Sequence, residues 1–178
     1  MNVGKILYHT VEDRNNLEYV KSHAPFLCNR KDAWLGSGYY FWEYFVDFAH
    51  WWGEQCYNGN YYICETSYIE DQSTILDLHG DMMQLADFLE GFDKLCKELG
   101  RNDFLLPEVI EFMRRKPSGF NFKAIRVSSI KSRLNEREIG FNYLPTSRYG
   151  DDFMSLMPRI QMCVFDKRSV QIPVAIII

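Results

Sequence analysis

Two short stretches carry residue types that can do chemistry. In Trp34-Leu35-Gly36-Ser37-Gly38-Tyr39-Tyr40-Phe41-Trp42, a glycine pair, the most permissive backbone positions, stands directly before a run of large flat rings. Electron-rich ring faces attract cations by about 0.5 to 2 kcal/mol each, so such a segment can become a ligand platform. In Tyr8-His9-Thr10, an imidazole that can both donate and accept hydrogen bonds follows an apolar run. Taken singly, His9 reads as a structural histidine and Tyr40 as core packing; only their order along the chain gives them more. A third candidate is the acidic pair in Glu136-Arg137-Glu138, which could serve as a general base or simply as a solvated surface.

Other chemistries lack their signatures. The phosphate-cradling G-x-x-x-x-G-K-[ST] and G-x-G-x-x-G loops do not occur, because Gly36-Ser37-Gly38 is followed by rings. The four histidines (His9, His23, His50, His79) are scattered and form no H-E-x-x-H pair, so no metal-ligand set is visible. Five cysteines without a C-x-x-C pair argue against a zinc site and a disulfide framework, and read as small buried hydrophobes in a reducing compartment. A net charge of -4 provides no basic footprint for phosphate-driven nucleic-acid binding. Neither the first residues nor the terminal Pro-Val-Ala-Ile-Ile-Ile run is apolar for long enough to span a bilayer, which predicts a soluble, cytoplasmic protein with no membrane partner.

The elements that must position these residues follow from apolar period and punctuation. Lys5 to Tyr8 predicts a buried strand delivering His9 to a helix over 11–22, with Thr10 as its cap. The glycine segment then leads into a helix over 43–56, on which Phe45, Phe48, Ala49 and Trp52 fall at helical spacing; Phe45, Phe48 and Trp52 are assigned, with Trp42, to the core. Strands are predicted over 61–65, 74–78, 123–130, 159–165 and 173–178. Asp81 is expected to cap a long amphipathic helix, and Pro107 to sit in the first turn of another that ends in Arg114-Arg115-Lys116. At 178 residues, 47% hydrophobic, one domain over 1–178 can bury roughly 70% of its unfolded surface. Helices and strands mix without the steady alternation of a doubly wound parallel sheet, so the expected class is α+β.

In this order, Tyr8-His9-Thr10, Gly36-Ser37-Gly38-Tyr39-Tyr40-Phe41 and the late strand Gln161-Met162-Cys163-Val164-Phe165-Asp166 resemble the ADP-ribosyltransferases of the diphtheria-toxin and poly(ADP-ribose) polymerase type. That resemblance implies a split β-sandwich of two packed sheets flanked by helices, and NAD as substrate. It implies that His9 bonds the adenosine ribose, that the backbone beside it at Thr10 meets the nicotinamide carboxamide, and that Gly38 shapes the loop before Tyr40. Nicotinamide would lie between Tyr40 and Trp51, and Gln161 would bind the second ribose. Family members carry glycine where this chain has Thr10, and glutamate where it has Gln161. A neutral amide forfeits about 1 to 2 kcal/mol of charge-assisted stabilisation, roughly ten-fold in rate, and does not activate a hydroxyl for polymer extension.

The resemblance therefore implies a mono-ADP-ribosyltransferase, a toxin or an intracellular modifying enzyme, that releases nicotinamide and transfers ADP-ribose to a protein or nucleic-acid acceptor. The same residues also fit a catalytically inactive NAD- or ADP-ribose-binding module, or an interaction domain with a ring-rich surface. Glu136-Arg137-Glu138, with Glu65-Thr66-Ser67 as its strand, is the weaker match, to the Arg-Ser-Glu branch of the same superfamily.

Overall fold

The structure, a computed structural model, describes residues 5–115, 120–128, 140–142, 153–155, 158–172 and 174–177. Strands β1 (Ile6–Glu12), β2 (Tyr39–Glu43), β3 (Tyr61–Ser67), β4 (Ile75–Asp77), β5 (Ala124–Ser128), β6 (Gly140–Asn142), β7 (Phe153–Ser155), β8 (Ile160–Val164) and β9 (Ala175–Ile176) alternate irregularly with four helices. These helices are α1 (Leu17–His23), α2 (Val46–Tyr57), α3 (Met82–Leu99) and α4 (Leu106–Arg115). The class is α+β, as expected. Seven strands form one mixed sheet in the order β4-β5-β8-β2-β1-β3-β9, while β6 and β7 pair separately. Only β4 and β5 run parallel; the other neighbours in that sheet are antiparallel.

Several boundaries differ from the sequence expectation. Thr10 does not cap a helix, because β1 pairs with β3 all the way from Ile6 to Glu12 and the Thr10 hydroxyl donates to Ala49 O at 2.9 Å. The helix starts only at Leu17, so His9 and Thr10 lie inside a strand. Residues 43–45 likewise stay outside α2. Tyr39 to Trp42 are claimed by β8, Trp42 and Glu43 also by β1, and Tyr44 takes a left-handed backbone (φ 61°) that turns the chain into the helix. Local signals prevailed elsewhere: Asp81 accepts from the Met83 and Gln84 N–H groups, and Pro107 is the second residue of α4.

Side-chain alternation gives the sheet two different faces. Leu7, Phe41, Met162, Val164 and Ala124 share one fully buried face. On the other, Leu76, Ile125, Val127 and Cys163 pack with Ile110 of α4 and Phe88 of α3, and Trp42 and Ile63 pack with Ala49 of α2. The central strands run so close to the loop before β2 that a Cβ on Gly38 would lie 2.4 Å from Cys163 Sγ and 3.0 Å from Val164 O. Gly38 is thus required by β8. Gly36, at φ +82°, makes the turn itself.

A chain of charges centred on the buried Glu43 ties β2, β5, β4 and the residue before β1 together at one end. Glu43, fully buried, accepts from Lys5 Nζ at 2.8 Å and from Arg126 Nε at 2.6 Å, and Arg126 Nη1 reaches both oxygens of Asp77 at 3.0 Å. The link runs from β2 under β8 to β5 and β4. The paired carboxylates hold the Arg126 guanidinium further into its charged form, despite the opposing effect of burial. Removing one member of such a buried set strands the others' charges. Glu43→Ala should lower the unfolding free energy by about 3 to 5 kcal/mol in urea titration; a loss below about 1 kcal/mol would mean that solvent replaces the carboxylate.

Candidate functional site

Pairing between β1 and β2 covers only Leu7–Glu43 and Tyr8–Trp42, after which the strands part. Ile6 O accepts from Tyr44 N–H, so Ile6, Tyr8 and Thr10 turn their backbone groups toward β2 by the alternation of an antiparallel strand. Thr10 therefore points its N–H and C=O into the gap. His9 bridges the same opening: its Nδ1 lies 2.8 Å from Tyr40 O and its Nε2 lies 3.2 Å from the Phe26 N–H. A carbonyl can only accept and an N–H can only donate, so His9 is the neutral tautomer protonated on Nδ1. Burial pushes its pKa down from 6.5 to about 4.

Over this opening lies a cavity of about 310 Å³. Its lining includes His9, Thr10, Tyr40, Trp51 and Gln161, brought together from β1, β2, α2 and β8. Gly38, the remaining residue predicted for the site, is not part of the wall. All four tryptophans of the chain, Trp34, Trp42, Trp51 and Trp52, line it as well, and so does Tyr57. The sequence reading placed Trp42 and Trp52 in the core. Trp42 is indeed buried, but Trp52 is half-exposed, and both contribute to the cavity wall.

The Tyr40 hydroxyl accepts from the Leu35 N–H at 3.0 Å and donates to Gly36 O at 2.7 Å. Burial raises its pKa, so it stays a neutral donor. This leaves the phenol ring, held edge and tip by the Gly36 turn, as what Tyr40 offers a ligand. Cys163 on β8, beside Tyr40, is kept a thiol by burial, its pKa pushed up to about 12. Trp51 meets Trp42 edge-on at 6.1 Å, and the Arg159 guanidinium lies 4.8 Å from the Trp51 ring centre. Burial lowers the Arg159 pKa. Near the loop that carries Trp34, Arg30 and Asp32 form an exposed ion pair, with Arg30 Nε 2.8 Å from Asp32 Oδ1.

Gln161 is buried, and its Oε1 accepts from Trp34 Nε1 at 2.5 Å. Among the described residues its amide N–H groups have no protein partner. Sequence reasoning passed over Trp34, Tyr57 and Arg159, and a real signal for one of them was present: Trp34 opens the same glycine segment that carries Tyr40. Glu136 and Glu138 lie outside the described residues. Glu65-Thr66-Ser67 sits on β3 away from the cavity, with Thr66 Oγ1 donating to Gln171 O at 2.7 Å.

Among the described residues no group of three or more His, Cys, Asp or Glu side chains could hold a metal ion. None of the five cysteines forms a disulfide; Cys64 and Cys163 are buried as expected, whereas Cys28 and Cys96 are half-buried and Cys56 is exposed. No helix among the described residues is long and apolar enough to cross a membrane. Comparison with family models, with curated proteins and with solved structures finds no match to this chain.

The His9 geometry sets a pH dependence. An unfolded chain binds a proton at His9 near pH 6.5, whereas the folded one resists until about pH 4. The stability present above pH 6.5 is therefore lost as pH falls through that window, by up to about 3 kcal/mol. Urea unfolding at pH 7, 5.5 and 4.5 should show this decline in the wild type and a shallower one in His9→Gln. Equal slopes in the two proteins would place the acid-sensitive group elsewhere.

Proposed function

We propose that the chain is an NAD-dependent mono-ADP-ribosyltransferase that transfers ADP-ribose to a protein or nucleic-acid acceptor and releases nicotinamide. One observation carries this reading: His9, Thr10, Tyr40, Trp51 and Gln161, up to 152 positions apart in the chain, line a single cavity. The short β1–β2 pairing supports reading β4-β5-β8-β2 and β1-β3-β9 as the two halves of a split sandwich. Nicotinamide carries a positive charge before it departs, and a cavity walled by indole and phenol rings favours such a group. The unpaired backbone edge at Thr10 offers the donor and acceptor that a carboxamide needs.

Roles follow from what each group has left to give. The Tyr40 and Trp51 rings would grip the base, and the Gln161 amide would bond a ribose hydroxyl. His9 differs from the role implied by the resemblance, since both its nitrogens are engaged by backbone. It would reach a ribose only by releasing the Phe26 N–H, and otherwise acts by keeping the opening in shape. A second reading, an inactive NAD- or ADP-ribose-binding module, is favoured by the neutral amide at Gln161, which lacks the charge that stabilises an oxocarbenium-like transition state.

The two readings separate in one experiment. With millimolar NAD, the wild type should bind by calorimetry and release nicotinamide, detected by chromatography; Tyr40→Ala should lose both. Gln161→Glu should speed release about ten-fold. Binding without release in the wild type, with release appearing in Gln161→Glu, establishes the inactive module. No binding overturns both.

A further inference from the structure

The polar chemistry of this cavity depends on which end of the Gln161 amide faces it, and the structure shows what decides that. An indole Nε1–H can only donate, so the atom 2.5 Å from Trp34 Nε1 must be the amide oxygen. With its oxygen drawn to Trp34, the amide turns its nitrogen, carrying two N–H donors without a protein partner among the described residues, toward the rest of the cavity. The amide cannot flip without leaving the half-buried Trp34 N–H unbonded, which holds the flipped form to roughly a sixth or less of the population. Both residues line the cavity, and 127 positions separate them.

We propose that Trp34 is a positioning residue that locks the Gln161 amide with its nitrogen toward the cavity, so that the ligand group opposite is a hydrogen-bond acceptor. Resting on the NAD reading, this makes the ribose hydroxyl at Gln161 an acceptor there, its own proton left to bond elsewhere. A glutamate at the same position would do the opposite. With one oxygen held by the Trp34 N–H, its second oxygen would accept from the hydroxyl. The chain thus differs from a carboxylate-bearing relative in the direction of this hydrogen bond as well as in charge.

The test has an unliganded and a liganded arm. In the free protein, the indole N–H signal of Trp34, identified by its disappearance in Trp34→Phe, should move upfield in the nitrogen–proton spectrum of Gln161→Met. Gln161→Asn, too short to reach Trp34, is the second variant should Gln161→Met not fold. An unmoved signal overturns the lock. In the liganded arm, NAD should bind Gln161→Met and Trp34→Phe each roughly two- to ten-fold more weakly than wild type. The double variant should lose no more than Gln161→Met alone, because Trp34 acts through Gln161. Additive losses would make Trp34 a ring contact only and overturn its positioning role. A moved indole signal with no NAD binding in the wild type overturns the NAD reading and the ribose assignment while supporting the lock.

Discussion

The cavity exists because β1 and β2 stop pairing after Tyr8 and Trp42, and the His9 imidazole holds that interruption at a fixed width. A plain continuation of the ladder would close the gap and bury Thr10's backbone against Tyr40. His9 instead satisfies the Tyr40 carbonyl itself and uses its second nitrogen to secure the Phe26 N–H of the loop after α1. Two polar backbone groups that would otherwise be orphaned are thereby bonded through one ring. The ring also packs against Phe41 at 5.5 Å, so its polar and apolar contacts act together.

Around that opening, rigidity comes from β2. Phe41 sits fully buried between Leu7 and Met162, Gly38 lets the chain lie against β8, and Glu43 anchors the far end through Lys5 and Arg126. Tyr40 and Trp42 are carried by this clamped strand on the opposite face, where their rings have little freedom to retreat. The Gly36 turn then folds back to bond the Tyr40 hydroxyl, which fixes the last rotatable group of that side chain.

Much of this was legible in the chain itself. The α+β class, the Asp81 cap, the first-turn place of Pro107, and the strands from Tyr61, Thr74, Lys123 and Arg159 followed from local signals that tertiary contacts reinforce. The helix expected at Val11 failed because Thr10-Val11-Glu12 finds a strand partner in β3, a pairing about fifty residues away that no local pattern displays. At the site, His9, Tyr40, Trp51 and Gln161 could be named because they lie in ordered motifs. Arg159 could not, since it matters through a contact made only by folding, a guanidinium over a ring on another element; Trp34 stands in the glycine segment, but its role, an indole bonded across 127 positions, is likewise made only by folding. The demand for glycine at position 38 is likewise set by folding, because the Cys163 sulfur that excludes a Cβ there belongs to β8.

The place of β8 in the sheet has a consequence for assembly. It is the eighth strand in chain order, yet it lies between β5 and β2 and pairs with both. During synthesis the strands on either side emerge first and have no direct partner in each other. Sheet closure must therefore wait for a segment made late, whose pairing with β2 closes a loop of more than a hundred residues at an entropic cost. A growing chain passes through a stage in which β2 shows its Phe41 edge and Glu43 lacks its bridge to β5, an interval suited to capture by a chaperone.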